Sequence, residues 1–231
     1  MTFADSVIRF NKQLDFEDEL PAGIRIMNPF KDNPQVIVIM EQFYKKFYDD
    51  TRKRHLILGI NPGRFGGGVT GIPFTDSKRL KSVCKIDYQG KETHEPSSVF
   101  IYEMIAAFGG AERFYNSFYI NSVCPLGFTS VKEGGKEINY NYYDSTTLTA
   151  AVHDFIIENI RKQIALGVDT DTCFCFGNGK NERFLRKLNE KEGFFQKIIA
   201  LEHPRFIMQY KAPSKDVYIE KYIDAFESVL G

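Results

Sequence analysis

The chain has 231 residues, a length that suits one large domain better than two very small ones. Its 30 Lys and Arg residues balance 30 Asp and Glu residues, which excludes a generally basic nucleic-acid coat protein and an acidic tail but leaves room for a local basic patch. With 43% hydrophobic residues and no apolar run as long as a membrane span, the composition is that of a soluble globular protein.

Strands and helices are predicted to alternate along the chain, with turn-rich or polar loops at 15–34, 61–74 and 129–144. The predicted helices lie near 2–13, 35–49, 77–84, 97–110, 146–166, 178–191 and 216–230. The predicted strands lie at 56–60, 114–125, 171–177 and 194–203. This order predicts a single domain over 1–231, an α/β fold with a three-layer α/β/α sandwich and a central, mostly parallel sheet of about four strands.

The cysteines indicate a reducing compartment. The four cysteines show neither a disulfide framework nor C-x-x-C spacing. Cys173 and Cys175 fall on one face of a predicted apolar strand, which favours buried free thiols over metal ligands. The first residues lack the basic flank and apolar stretch of a signal peptide, so we expect a cytoplasmic protein that does not contact membranes.

Polar residues follow three of the predicted strands. Asn61 comes after 56–60, Asn121 stands in the second strand, and His203 ends the fourth. Open parallel sheets bind ligands beyond the carboxyl ends of their strands, so these three side chains are expected at one rim. Each alone has an ordinary structural explanation as a turn, cap or rim residue, and their convergence is what indicates a site.

The glycine-rich segment GINPGRFGGGVTGIPF at 59–74 holds six of the 18 glycines. It formally satisfies the G-x-G-x-x-G pattern, but no helix is predicted to open from it, as a dinucleotide site requires. A P-loop alignment fails as well, because Val69 stands where the phosphate-binding lysine belongs. We interpret the segment as a shaped loop whose backbone approaches a ligand closely.

This segment resembles the first motif of the single-strand-selective monofunctional uracil-DNA glycosylases. FYINSVCPLGF at 118–128 is similar to the second motif of that family, and LEHPRF at 201–206 to the third. The resemblance runs in the right order from about 20 to 210 and is typical of a distant bacterial branch. It implies a DNA-repair enzyme that hydrolyses the N-glycosidic bond of uracil and leaves an abasic site.

The resemblance also implies residue roles. Phe74 would stack on the flipped-out base, and Asn121 would read its Watson–Crick edge. His203 would donate a hydrogen bond to uracil O2 as charge develops there, and Asn61 would position the attacking water. The other expected substrate-binding residues are Ile60, Gly63, Phe65 and Gly71; the expected DNA-binding residues are Arg64, Lys78, Arg205, Tyr210 and Lys211.

The expected partner is single- or double-stranded DNA containing uracil, with no metal, no cofactor and no obligatory protein partner. We expect a monomer associated with the bacterial nucleoid, and a monofunctional enzyme because the motifs offer no Schiff-base lysine. The expected charge pattern is a basic rim on a neutral body, formed by Arg64, Lys78, Arg79, Lys81, Arg205 and Lys211. Three alternatives stay open: a glycosylase for xanthine or hypoxanthine, a catalytically inactive nucleic-acid-binding member of the fold, and a phosphate-binding metabolic enzyme.

Overall fold

The computed structural model describes residues 1–230, and within them the strands form two sheets. The strands are β1 (Ile24–Met27), β2 (His55–Gly59), β3 (Phe118–Ser122), β4 (Gly127–Val131), β5 (Glu137–Tyr140), β6 (Asp169–Phe176) and β7 (Lys197–Leu201). The helices are α1 (Phe3–Lys12), α2 (Pro29–Asp32), α3 (Pro34–Tyr48), α4 (Gly67–Thr70), α5 (Ser77–Ser82), α6 (Pro96–Ala107), α7 (Ala111–Ser117), α8 (Thr146–Ala151), α9 (His153–Ile164), α10 (Lys180–Glu192), α11 (Pro204–Tyr210) and α12 (Lys215–Glu227), with a 3₁₀ turn at Ala212–Ser214.

The larger sheet is parallel, has four strands in the order β3-β2-β6-β7, and is flanked by helices. Its strands are rich in buried apolar residues, as expected for a sheet covered on both faces. The predicted α/β/α sandwich is therefore confirmed. Cys173 and Cys175 are buried free thiols in β6, as their spacing indicated.

A second sheet contradicts two predicted loops. β1, β4 and β5 form an antiparallel sheet in the order β1-β4-β5. β1 and β5 lie within the segments predicted to be irregular at 15–34 and 129–144, and β4 extends into the second of them. The strands were missed because β1 and β5 have only four residues and are half-buried rather than alternately buried and exposed. Gly134 and Gly135, both at positive φ, close the turn between β4 and β5.

The helices also differ from the prediction. The start of the predicted strand at 114–125 is helical, because α7 runs to Ser117 before β3 begins. The single helix predicted at 146–166 is divided at Val152, whose backbone leaves the helical region. Helix α11, which directly follows His203, was not predicted. The glycine-rich loop is irregular as expected, apart from the single turn of α4.

The start of β2 is anchored by a fully buried arginine. Both terminal nitrogens of Arg54 donate to the carboxylate of Asp50 at 2.9 Å, and its Nε donates to the carbonyl of Tyr115 at 2.7 Å. The guanidinium also lies 4.9 and 4.8 Å from the ring centroids of Phe3 and Tyr48. This cluster holds the chain immediately before the strand that leads to Asn61.

Replacing Arg54 tests that anchor. Arg54→Ala leaves the Asp50 carboxylate without its buried partner, and we expect a loss of about 3 kcal/mol in the free energy of unfolding. Arg52→Ala is the matched control, because Arg52 reaches the same carboxylate from the exposed side at 3.7 Å and its removal should cost less than about 0.5 kcal/mol. Urea unfolding followed by circular dichroism measures both, and equal losses would contradict the proposed anchoring.

Candidate active site

A cavity of about 420 Å³ opens at the carboxyl ends of the parallel strands. Its wall is formed by the loop after β2, the segment after β5, the residue before α6, and the start of α11. It brings together these residues predicted from the sequence: Ile60, Asn61, Gly63, Phe74, His203, Arg205 and Tyr210. The convergence expected from the strand ends is therefore present for Asn61 and His203.

The other predicted residues lie outside the cavity wall. Asn121 and Gly71 line a narrow recess of about 20 Å³, which shares Pro62, Gly67 and Pro73 with the wall of the large cavity. Arg64 and Phe65 line a separate surface groove, with the guanidinium 4.4 Å from the ring centroid. Lys78 pairs with Glu92 at 3.2 Å, and Lys211 is exposed.

The amide of Asn61 is held by the end of the second sheet. Its Oδ1 accepts from the backbone N–H of Tyr142 at 3.1 Å, and its Nδ2 donates to the carbonyl of Tyr140 at 3.2 Å. Its Nδ2 also donates to the carbonyl of Pro62 at 3.5 Å, so the group that remains for a molecule in the cavity is one lone pair of Oδ1. The strand that orients Asn61 is β5, which the sequence did not reveal.

The ring of Phe74 is fixed by its backbone and by its neighbours. Phe74 has a φ of 52°, a left-handed conformation that is rare for a bulky residue and common at functional sites. Its ring centroid lies 5.7 Å from that of Phe176 and 5.6 Å from that of His203. A Cβ on Gly59 would lie 2.9 Å from this ring, so the glycine at the end of β2 makes room for it.

His203 is a neutral histidine whose proton position follows from its contacts. Its Nδ1 accepts from the backbone N–H of Arg205 at 3.1 Å, where His203 caps α11. Because a backbone N–H can only donate, Nδ1 carries the lone pair and Nε2 carries the proton. Desolvation, and then the charge of Arg205, lower the pKa of His203 to about 4. The ring is therefore a neutral Nε2–H donor at physiological pH.

The amide of Asn121 has one orientation that satisfies both of its neighbours. Its Oδ1 accepts from the backbone N–H of Ser122 at 2.8 Å, and its Nδ2 donates to the hydroxyl of Tyr119 at 2.7 Å. A rotated amide would set its NH₂ against the Ser122 N–H, two donors facing each other. Burial raises the pKa of Tyr119 well above its ordinary value, so the hydroxyl stays neutral.

Glu95 lines the cavity and was not identified from the sequence. Its backbone N–H donates to Asp76 Oδ2 at 2.7 Å, and its side chain lies against the glycine-rich loop. A Cβ on Gly63 would lie 2.9 Å from Oε1, and one on Gly66 would overlap Oε2. Burial, and then the charge of Asp76, raise the pKa of Glu95 to about 7, whereas Arg205 acts in the opposite direction.

Other cavity residues were also missed because they lie in segments predicted as loops. The residues in this group are Asn139, Asn141 and Tyr143, all within 129–144; Phe206 and Gln209 of α11 also line the cavity. Phe206 and Tyr210 are 43% and 64% exposed on α11, and their ring centroids are 5.4 Å apart. An exposed pair of aromatic rings beside a cavity suits contact with nucleic-acid bases.

Residues 1–230 contain no group of three or more His, Cys, Asp and Glu side chains that could hold a metal ion. No helix in this described part of the chain is long and apolar enough to span a membrane. The residues that line the cavity offer amides, hydroxyl groups, a neutral imidazole, one guanidinium, one carboxyl group and aromatic rings.

The fold and this cavity agree with one family of DNA-repair enzymes. The family model for the uracil DNA glycosylase superfamily matches residues 45–227, and the chain belongs to that superfamily. SMUG2 of Pedobacter heparinus, known from a crystal structure of the wild-type protein, is 66% identical; the match covers 99% of this chain and 98% of that one, with a TM-score of 0.97. Comparison with curated proteins gives no match.

The protein is a uracil-DNA glycosylase, a hydrolase of base excision repair. The function expected from the three motifs is confirmed, and the alternatives of a different deaminated base, an inactive binding protein and a metabolic enzyme are not favoured.

The protonation of His203 is a direct test of the cavity geometry. We expect His203 to stay neutral from pH 5 to 8 with its proton on Nε2, because its pKa is lowered to about 4. Long-range ¹H–¹⁵N correlation spectra, with the signal assigned by its loss in His203→Asn, measure both nitrogens. A His203 ring that becomes protonated within that range, or that carries its proton on Nδ1, would contradict the assignment.

Proposed function

We propose that Phe74, His203 and Asn61, which line this cavity, and Asn121, which lines the recess beside it, share the work of uracil excision. The observation that carries the proposal is the fixed orientation of the Asn121 amide, with Oδ1 on the Ser122 N–H and Nδ2 on the Tyr119 hydroxyl. That orientation leaves one N–H donor and one oxygen lone pair side by side for a base.

This donor and acceptor match the Watson–Crick edge of uracil. The free Nδ2 hydrogen would donate to O4, and the free Oδ1 lone pair would accept from N3–H. Cytosine offers the opposite polarity, with an N4 donor and an N3 acceptor. To accept cytosine, the Asn121 amide would have to rotate and face the Ser122 N–H with its own donor. The backbone therefore supplies the discrimination, and Phe74 provides the stacking surface for the flipped base.

His203 would stabilise the leaving group. As the C1′–N1 bond breaks, negative charge collects on the uracil, and the Nε2–H of His203 can donate to O2. A neutral donor that is already oriented by the Arg205 N–H needs no reorganisation at that moment. Because the hydrogen-bond partner of Nδ1 is a backbone group, the proton is directed to the cavity side of the ring.

Asn61 would hold the water that attacks C1′. Its remaining Oδ1 lone pair can accept from a water molecule, and the hydrogen bonds to Tyr140 and Tyr142 prevent the amide from turning. The transition state of glycoside cleavage is oxocarbenium-like, so the water must be well placed. Among described residues that line the cavity there is no lysine, which supports a monofunctional enzyme.

DNA would approach over α11 and the glycine-rich loop. Arg205 and Tyr210 stand at the cavity, with Lys211 directly after α11 and Arg64 on the loop. The exposed Phe206–Tyr210 pair is placed to enter the space vacated by a flipped nucleotide, so we propose α11 as the wedge. Lys78 would contact DNA after leaving Glu92.

We propose further that the enzyme is one domain, acts as a monomer without metal or cofactor, and works in the bacterial cytoplasm.

Single-turnover excision from a labelled uracil oligonucleotide, followed by alkali, tests these roles. We expect Asn61→Ala and His203→Ala each to slow excision by about 100-fold or more while the thermal melting curve stays close to that of the wild type. An intact strand with the wild-type enzyme in excess would contradict the function itself. Full activity of either variant would contradict only the role of that residue.

A more specific prediction concerns Asn121. Asn121→Asp keeps the acceptor for N3–H but removes the donor to O4, so we expect uracil excision to fall by about 10- to 100-fold, the value of one good base-edge contact. Asn116→Asp, on the far face of the molecule, is the matched control and should leave the rate unchanged. An Asn121→Asp enzyme as fast as the control would rule out the recognition scheme.

A further inference from the structure

We propose that Glu95 is the general base of the reaction, the group that accepts the proton of the water held by Asn61. The inference rests on the proposed roles of Asn61 and His203. It concerns a step that those two side chains leave open, because hydrolysis must remove a proton from the attacking water and neither of them can take it.

The cavity offers few proton acceptors. The amide of Asn61 is not a base, and the Nδ1 of His203 is already engaged by the Arg205 N–H. Burial raises the pKa of the Tyr143 hydroxyl to about 12, so it holds its proton. Within the described chain, Glu95 is the one carboxyl group among the residues that line the cavity.

Glu95 is held beside the loop that carries Asn61. Its backbone N–H is bonded to the buried carboxylate of Asp76, and α6 begins at the next residue. The Glu95 carboxyl occupies the space that side chains at Gly63 and Gly66 would otherwise fill, two and five residues after Asn61. Among residues 1–230, the hydrogen bond to Asp76 is made by the Glu95 backbone, and none involves its carboxyl oxygens, which are therefore open to a molecule in the cavity.

The surroundings of Glu95 allow it to change charge near neutral pH. Asp76 is fully buried and repels the charged form of Glu95. Arg79 pairs with the Asp76 carboxylate at 3.0 Å, and Nδ1 of the half-exposed His94 lies 3.9 Å from it. From α11, Arg205 favours the charged form, and the other ionisable groups that line the cavity are Tyr143, Tyr210 and the neutral His203. Because its pKa of about 7 matches the working pH, the Glu95 carboxyl group is available as an anion and is also able to hold the proton that it accepts.

The proposed step balances in atoms and charge. The water oxygen forms a bond to C1′ while the C1′–N1 bond breaks and its electron pair leaves on uracil. The water proton passes to the Glu95 carboxylate, and the negative charge on the departing base is stabilised at O2 by the Nε2–H of His203. The carboxylate also stabilises the positive charge that develops on the sugar before the new bond forms. The proton on Glu95 then leaves to solvent or to the uracil anion.

The test is single-turnover excision of uracil with enzyme at saturation, measured from pH 5 to 9. We expect the wild-type rate to rise about tenfold per pH unit below pH 7 and to level off above it. Glu95→Gln should be slower by about 10²- to 10⁴-fold at pH 8, with a rate independent of pH and with unchanged affinity for the oligonucleotide. Asp87→Asn removes an exposed negative charge from the same connector without altering the cavity, and it should match the wild type.

A second variant separates proton transfer from a purely structural role. Glu95→Ala leaves room for a small carboxylate, so we expect added formate to restore part of its activity in proportion to concentration. The assignment of Glu95 alone would be overturned if Glu95→Gln excises uracil within threefold of the wild-type rate and with the same pH profile. It would also be overturned if formate fails to restore the activity of Glu95→Ala and the wild-type rate is independent of pH. A wild-type enzyme that releases no uracil would overturn the proposed function and this step together.

Discussion

The constraint on which the site depends is that a backbone N–H can donate a hydrogen bond but cannot accept one. Asn61, Asn121 and His203 each have one acceptor atom occupied by such a group. Each side chain therefore presents its remaining donor or acceptor with a fixed polarity, before any substrate is bound. The fold serves this arrangement by bringing the ends of parallel strands, the end of an antiparallel strand and the start of a helix to one cavity.

In the proposed scheme, fixed polarity is what would allow ordinary side chains to act on DNA selectively. An amide that could rotate would bind uracil and cytosine about equally well, and a histidine that carried its proton on Nδ1 would offer no donor to the base. The Asn121 amide and the His203 ring are each held against a rigid backbone N–H, so a rotated amide or a proton on Nδ1 would raise the free energy of the site. Either change would place two donors against each other or leave a buried group unpaired. The positive φ of Phe74 is a further element of the same preorganisation.

Much of the fold and part of the candidate site could be predicted from the sequence, and the remaining features could not, for physical reasons. Apolar runs identified the four parallel strands, and the polar residues at their ends identified Asn61 and His203 correctly as neighbours. The second sheet was missed because its strands are short and only half-buried, so they lack the alternating pattern that marks a strand.

Glu95 was missed because a single carboxylate in a polar connector resembles any surface residue; its burial and pKa arise only when distant segments close around it. The balanced net charge is likewise uninformative, since Arg205 and Lys211 are exposed beside the cavity on a neutral body.

A crystal structure with DNA that contains a non-hydrolysable 2′-fluoro-deoxyuridine measures these hydrogen bonds directly. We expect uracil O4 and N3 at about 2.7–3.2 Å from Nδ2 and Oδ1 of Asn121, O2 at a similar distance from Nε2 of His203, and the Asn121 Oδ1 still on the Ser122 N–H. A uracil bound with that edge turned away from Asn121, or an Asn121 amide that has left the Ser122 N–H, would contradict this expectation.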